Sequence, residues 1–554
     1  MKRDRLAAMS RAFVPAGLVA LVTLLVSTLG AGAATARHMT AGPVRGGTLL
    51  IGYPTDMTTF DPAQAYSSDW QVMNGTLYDG LYQFDRKGRP QLDLAAQAPT
   101  ISADRRVWTF HLRKGVRFSN GMELTADDVK FSITRTLDPH LKPAPSWGQT
   151  TDAVFQGAQA FIQGKASSVS GIQVLDRYTI RLTLAQPVAI FPDLLASTYN
   201  MVVPRAVLTK ESPEYFGSHP VGSGPFVLQS WQKGTRLVFV RNPYYWKKGK
   251  PYLDRIIVYV NVPASVITLK IEKGELHGLG DASQASAADV QQMRGDPRYA
   301  RYLAEGQLTF VYWLDLNVHV APFTDPRIRQ AVAMAINRDH LTKLLNGLAV
   351  PATQIYIPLM PQHDPLLDRR PASPYDPQRA AALVRASGYH GQAMTLLYAN
   401  NIPLQASMAP GIQQNLQQIG LKVALRGVSH DTQVQVRSKL KGSQMSLSFW
   451  GIDFPDGYDV YSGDMACGDN GDGGTSGSHY CDPTADNLVN RAEALPLGAA
   501  RDALLRRAQA RILNAAAMVP LVYPRIIDLV SPKVGGFYYS PIFGWQYENY
   551  WLNR

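Results

Sequence analysis

"LRKGVRFSNGMELTADDVKFSITR", residues 112–135, holds two local structures in one short run, and the rest of the chain is read outward from it. Asn120-Gly121 sits between apolar-alternating residues and both tolerate positive φ, so the spacing predicts a hairpin turn. Thr125 follows as a helix N-cap, with Asp128 placed to answer it in a capping box. Val129, Ile133 and Leu137 then repeat every fourth residue and give that helix one buried face. A hairpin running into an amphipathic helix is scaffolding. Nothing in it performs chemistry, so function has to come from the rest of the chain.

The 554 residues are 45% hydrophobic and 18% charged, the balance of folded domains, and are too many for one core; two or three domains are expected. The beginning differs in character. Lys2, Arg3, Arg5 and Arg11 precede the apolar run Phe13 to Leu29, and Ala31-Gly32-Ala33 fits a small-x-small cleavage site, so residues 1–33 read as a secretory signal peptide removed on export. An uncleaved membrane anchor is the alternative, and no later stretch reaches spanning length. No cysteine follows the leader, so the mature protein is expected to be no lipoprotein. The only two cysteines, Cys467 and Cys481, bracket a Gly/Asp/Ser-rich stretch; after export an oxidising compartment favours a disulfide, with buried free thiols as the alternative. Formal charge is +12, and removing the leader through Ala33 leaves +9. The basic residues are scattered and form no nucleic-acid module, so no nucleic-acid partner is expected.

Strand-like alternation in short runs, broken at Gly80, Lys87-Gly88 and Ala103-Asp104, fills residues 76 to 118, and returns at 171 to 185 and from Gly222 to Val260. Beyond Asp315 helices alternate with strands. Asp325-Pro326 opens one helix with the core stripe Ile328, Val332 and Ile336; Gly347 closes the next; Asp376-Pro377 and Gly388 bound a third. "IGLKVALRGV" and "MSLSFWGIDF" read as strands. The chain is mixed α/β, with hairpin units early and α/β units late.

Chemistry-bearing constellations are missing. The eleven histidines never fall in an HxxxH or HxxEH spacing, so no metal site is expected. There is no GxSxG, and Gly222-Ser223-Gly224-Pro225 reads as a turn. "DNGDGGTSG" lacks the bidentate Glu and alternating spacing of a calcium loop. No loop cradles a phosphate, and no cofactor is expected. A large exported chain with no catalytic constellation points to a binder, and the expectation is that it is not an enzyme.

The opening stretch resembles a signature of the extracellular solute-binding proteins that serve peptide, nickel and related ABC importers, the oligopeptide- and dipeptide-binding type. "GGTLLIGYPTDMTTFDP", "LYDGLYQFD", "VSGIQVLDRYTIRLTL", "HPVGSGPFVLQSWQKGTRLVFVRNPYYWKKGKPYLDRI", "LNVHVAPFTDPRIRQAVAMAINRDHL" and "WGIDFPDGYD" resemble further family landmarks in the family's order, from about residue 46 to 554. The resemblance implies a two-lobed periplasmic binding protein fold of type II, large peptide-binding class, with hinge strands and an extra β-rich subdomain. Lobe 1 is then expected at 46–308 with the subdomain at about 76–200, lobe 2 at 309–520, and a return to lobe 1 at 521–554. The crossings are expected near "LTFVYWLDL" and "VPLVYPRIIDL". Implied partners are a peptide or small solute and an ABC permease in the inner membrane, with the binder a periplasmic monomer.

In peptide-binding members an aspartate three residues after a tryptophan pairs with the ligand's α-ammonium. Trp450-Gly451-Ile452-Asp453 reproduces that spacing, so the resemblance makes these four ligand-binding candidates, with a turn aspartate before Pro455 as the alternative for Asp453. Tyr53, Thr55, Asp56 and Met57 match the first-lobe segment that faces the ligand. The paired cysteines resemble those of dipeptide-binding members. One departure stands out: those members hold the ligand carboxylate with an arginine in a Pro- and Asn-containing segment, and Tyr398-Ala399-Asn400-Asn401-Ile402-Pro403 has none. Longer or modified peptides, or a nickel-chelate or opine-like solute, therefore stay open; from another class, a secreted hydrolase is the rival.

Overall fold

A computed structural model describes residues 42–65, 76–143, 146, 148–151, 153–280, 287–306, 308–542 and 544–553. The leader, 1–33, lies outside the described residues. Thr40–Arg554 forms one compact unit.

The opening stretch folds as its pattern dictates. Gly121 adopts φ 85°, and Phe118 N–H donates to Met122 O at 2.8 Å. Thr125 N–H donates to Asp128 Oδ2 at 2.9 Å and starts the helix Ala126–Thr136, whose Val129 and Ile133 are buried. That helix packs on a four-stranded antiparallel sheet in the order Thr100–Ile101, Val107–His111, Thr179–Thr183, Ile172–Asp176. Arg135 ties this subdomain to the first lobe through a buried ion pair with Asp61.

The first lobe's sheet has the order Gly278–Leu279, Thr48–Gly52, Arg255–Tyr259, Arg236–Arg241, Phe226–Gln232. Its first three strands are parallel, so their carboxyl ends share one edge. The second lobe's sheet runs Ala349–Pro351, Met518–Pro524, Phe310–Leu316, Met445–Gly451, Ala393–Ala399, Lys422–Val428. Leu314, Leu396, Leu447 and Leu521 face the helices Pro326–Ala335, Arg338–Leu344 and Pro403–Gln418, where Ile328, Leu341 and Met408 complete a core. Asp325, accepting from Arg327 N at 2.8 Å, caps the first of these helices.

Between the lobes, Leu303–Glu305 pairs antiparallel with Ile527–Leu529. This pairing lies one strand before the first apolar run that suggested a crossing. Phe310–Leu316 is buried almost throughout and paired on both sides, and such a continuous apolar run marks a central strand covered on both faces. The paired strands are three residues each: Leu303–Glu305 is partly exposed and carries little hydrophobic signal, while Ile527–Leu529 is buried and lies at the end of the second apolar run that suggested a crossing. Met518–Pro524 lies wholly in the second sheet, so the expected boundary at 521 falls inside a strand.

Cys467 and Cys481 form the expected disulfide, with Cα atoms 4.5 Å apart. Among the described residues no helix is long and apolar enough to cross a membrane.

Candidate functional site

In open α/β sheets ligands bind outside the carboxyl ends of the parallel strands. In the second lobe that edge carries the ends of Ala393–Ala399, Lys422–Val428 and Met445–Gly451. Met445–Gly451 pairs along its whole length with Phe310–Leu316 but touches Ala393–Ala399 only at Met445 and Ser446. Beyond these the two parallel strands part. Gln433 wedges into the gap, donating Nε2 to Leu447 O at 2.7 Å and to Gln405 Oε1 at 2.9 Å.

Strand alternation now fixes which backbone groups face the gap. Ile452 N–H donates to Thr309 O at 3.1 Å, on the paired side, whereas Leu447 O points to Gln433 on the other. Residues of one parity point one way. The N–H and C=O groups of Phe449 and Gly451 therefore face the gap, where no backbone or side-chain group among the described residues bonds them. Phe449 lines the opening, stacked on Tyr312 with ring centroids 5.0 Å apart and tilted against His430 at 5.5 Å. Gly451 is required here: a Cβ on it would lie 2.4 Å from Phe310 Cε1.

The strand leads into Asp453. Its carboxylate is half-buried and accepts from no donor among the described residues, and burial lifts it to about 7. Trp450 Nε1 donates to Asp459 Oδ2 at 2.8 Å, and the backbone N–H of Asp453 donates to the same oxygen at 3.1 Å. Asp459 is buried; burial first, and the nearby Asp453 charge second, hold its carboxyl well above the usual range. Trp450 rests on Gly463, where a Cβ would come within 2.1 Å of Cη2. Ile452 is 4% exposed and belongs to the core rather than the opening.

The first lobe approaches beside this point. A Cβ at Gly88, in the turn after the strand Tyr82–Phe84, would lie 3.3 Å from Pro455 Cγ. Behind it, Asp456 caps the helix Gly457–Asp464 and takes both arms of the buried Arg501 at 2.7 and 2.8 Å, while Arg501 also donates to Glu493 at 2.6 Å. Asp193 of the first lobe is close enough to this group to be raised by Asp456 after burial.

Tyr53, Thr55, Asp56 and Met57 follow Thr48–Gly52 at the carboxyl edge of the first sheet. Tyr53 and Met57 are core residues at 0% and 4% exposure. Asp56 spends its carboxylate within its own lobe, on Met57 N at 2.8 Å, Trp231 Nε1 at 3.1 Å and Gly234 N at 2.6 Å. Only Thr55 presents an exposed side chain. Sequence reasoning passed over Phe449, Gln433 and Asp459; the signal for the last was the Asp453, Asp456, Asp459 spacing itself. No group of His, Cys, Asp or Glu among the described residues is arranged to hold a metal.

Two separate sheets, each with a carboxyl edge formed by parallel strands, and a short two-strand pairing between Leu303–Glu305 and Ile527–Leu529 are the marks of a two-lobed binding protein. Residues 89–472 match the family described as bacterial extracellular solute-binding proteins, family 5, and the chain belongs to it. The chain is 28% identical over 504 residues to a di/tripeptide-binding protein 2 of Pseudomonas aeruginosa, covering 87% of this chain and 91% of that one. It is 25% identical over 549 residues to a glutathione-binding protein of Shigella dysenteriae, covering 98% and 99%. Its fold is similar to the ABC transporter-associated periplasmic binding protein DppA of Helicobacter pylori, solved with the peptide STSA, at TM-score 0.77 and 24% identity over 92% of this chain and 99% of that one.

Proposed function

We propose that the chain is the periplasmic binding component of an ABC importer that takes up peptides, holding each by its backbone and its free amino end. One observation carries this reading: the strand edge at Phe449 and Gly451 that faces away from Phe310–Leu316 is open, and it runs directly into a half-buried carboxylate with no cation beside it among the described residues. An extended peptide added to that edge gains main-chain hydrogen bonds whatever its side chains, and its ammonium supplies the missing counter-ion for Asp453. Lobe closure places the ligand against both lobes, so binding shifts the population towards the closed form that an inner-membrane permease takes up. No bond is broken, and a separate ATPase drives transport. The leader is cut near Ala33 and the mature protein works as a soluble periplasmic monomer. The segment Tyr398–Pro403 offers no cation for a ligand carboxylate, which favours longer or modified peptides over strict dipeptides and keeps an opine-like or chelate solute as the second reading.

Calorimetric titration tests the reading. A charge-assisted bond to a buried partner is worth about 1.5 to 3 kcal/mol, so Asp453→Asn, or N-acetylation of the peptide, should weaken binding about tenfold or more. Equal affinity for free and acetylated trialanine, in both proteins, would refute it.

A further inference from the structure

Asp453 and Asp459 are held against one another by the fold. The backbone N–H of Asp453 and the indole of Trp450 both end on Asp459 Oδ2, and the Asp453 charge is the strongest charge acting on Asp459. No cation is within ion-pairing distance of either carboxylate among the described residues. On the helix Gly457–Asp464 the neighbouring charges are Asp456, which adds to the repulsion, and Asp464. Arg501, on Ala499–Ala515, has both terminal nitrogens engaged by Asp456 and Glu493. Across the cleft, the turn that reaches Pro455 carries Asp85 and Arg89 paired to each other at 2.7 Å, Lys87, and Arg86 stacked 4.2 Å from the Tyr538 ring centre. Phe310, which opens the strand Phe310–Leu316, and Thr309 just before it do not titrate.

Two carboxylates in one partly desolvated site without a cation cannot both ionise near neutrality. The geometry points to Asp453 and Asp459 acting as a unit that keeps a proton while the cleft is empty and gives it up to solvent when a ligand's ammonium arrives. Asp459 is then a positioning residue that makes peptide capture proton-linked. This rests on the reading that Asp453 meets a peptide amino end. The direction follows from the empty-state value of about 7 for Asp453 and the raised Asp459, both set first by burial. The ammonium favours the ionised pair, so affinity rises with pH by up to about tenfold per unit below about 7 and levels off above it. A ligand without a cationic group gains nothing from the rise.

Two measurements on the full chain test this. Infrared difference spectra of the ligand-free protein at pH 6.5, unaltered against Asp453→Asn and against Asp459→Asn, should show a protonated carboxyl band that changes in frequency or intensity in each variant. Titration with trialanine at the same pH in phosphate and in Tris should give heats that differ by the release of up to about one proton per peptide, a release that is smaller in Asp459→Asn, whose amide keeps an acceptor for Trp450 but removes the second charge beside Asp453. Absence of the infrared band overturns the proton-holding pair whatever the peptide does. Trialanine that binds with the same heat in both buffers overturns the linkage and leaves the peptide reading standing. A band altered in both variants, with no trialanine heat at any pH, retains the pair and overturns its peptide role.

Discussion

Asp193→Asn offers the sharpest test of the electrostatics where the lobes meet. Asp193 sits in the short helix Phe191–Ala196 at 7% exposure, and burial, then the repulsion of Asp456, carries its carboxyl to about 7; Arg501 opposes the rise and Glu493 adds to it. In the unfolded chain the same group titrates near its ordinary 3.8. The folded state therefore binds more protons between these values, so the stability this group contributes is full below about pH 4 and is lost as pH rises through about 7. The whole span corresponds to at most about 4 kcal/mol, of which about 2.5 kcal/mol falls between pH 5 and pH 8. Asparagine keeps the shape and cannot ionise. Urea unfolding of both proteins at pH 5, 6, 7 and 8 should show the variant gaining on the unaltered protein by about that amount across the series, while Glu493, raised in the same direction, affects both alike. Stability curves that stay parallel would mean that Asp193 is ionised in the fold and that the burial argument is wrong.

Arg501→Met leaves Asp456 and Glu493 buried without their cation and should cost about 3 to 5 kcal/mol in urea unfolding, partly recovered in the double variant with Glu493→Gln. Replacing both Cys467 and Cys481 by Ser opens a loop of sequence separation 14 and should lower stability by about 3 kcal/mol, an effect that disappears when the two proteins are compared under reduction. Gly463→Ala drives a methyl into the Trp450 ring and should weaken trialanine binding at least tenfold by turning Trp450 off Asp459, with a smaller change in unfolding than Arg501→Met.

Much of the fold was legible because local chemistry dictates it. The Asn120-Gly121 turn, the Thr125 cap and the Asp325 and Asp376 helix starts each depend on residues within a few positions of one another, and each formed as its residues require. The short pairing between the sheets was legible on one side only: Ile527–Leu529 ends an apolar run read as a crossing, whereas Leu303–Glu305 buries too little apolar surface to leave a pattern and the strong run next to it belonged to a central strand. At the rim the reading was partial for a similar reason. The spacing from Trp450 to Asp453 can be counted along the chain, but the opening beside Phe449 exists only because two strands part after Ser446, and Gln433 fills the first step of that gap from a helix. Asp56 and Asp453 look alike in sequence. Three donors from its own lobe consume the first, and none among the described residues reaches the second.

Native mass spectrometry of the protein, purified from a periplasmic extract without denaturation, addresses the central claim most directly. The account predicts one ligand per chain, released on unfolding as a peptide with a free amino end, and unchanged when the purified protein is incubated with it. A non-peptide ligand in the cleft, a peptide blocked at its amino end, or the appearance of cleavage products would contradict it.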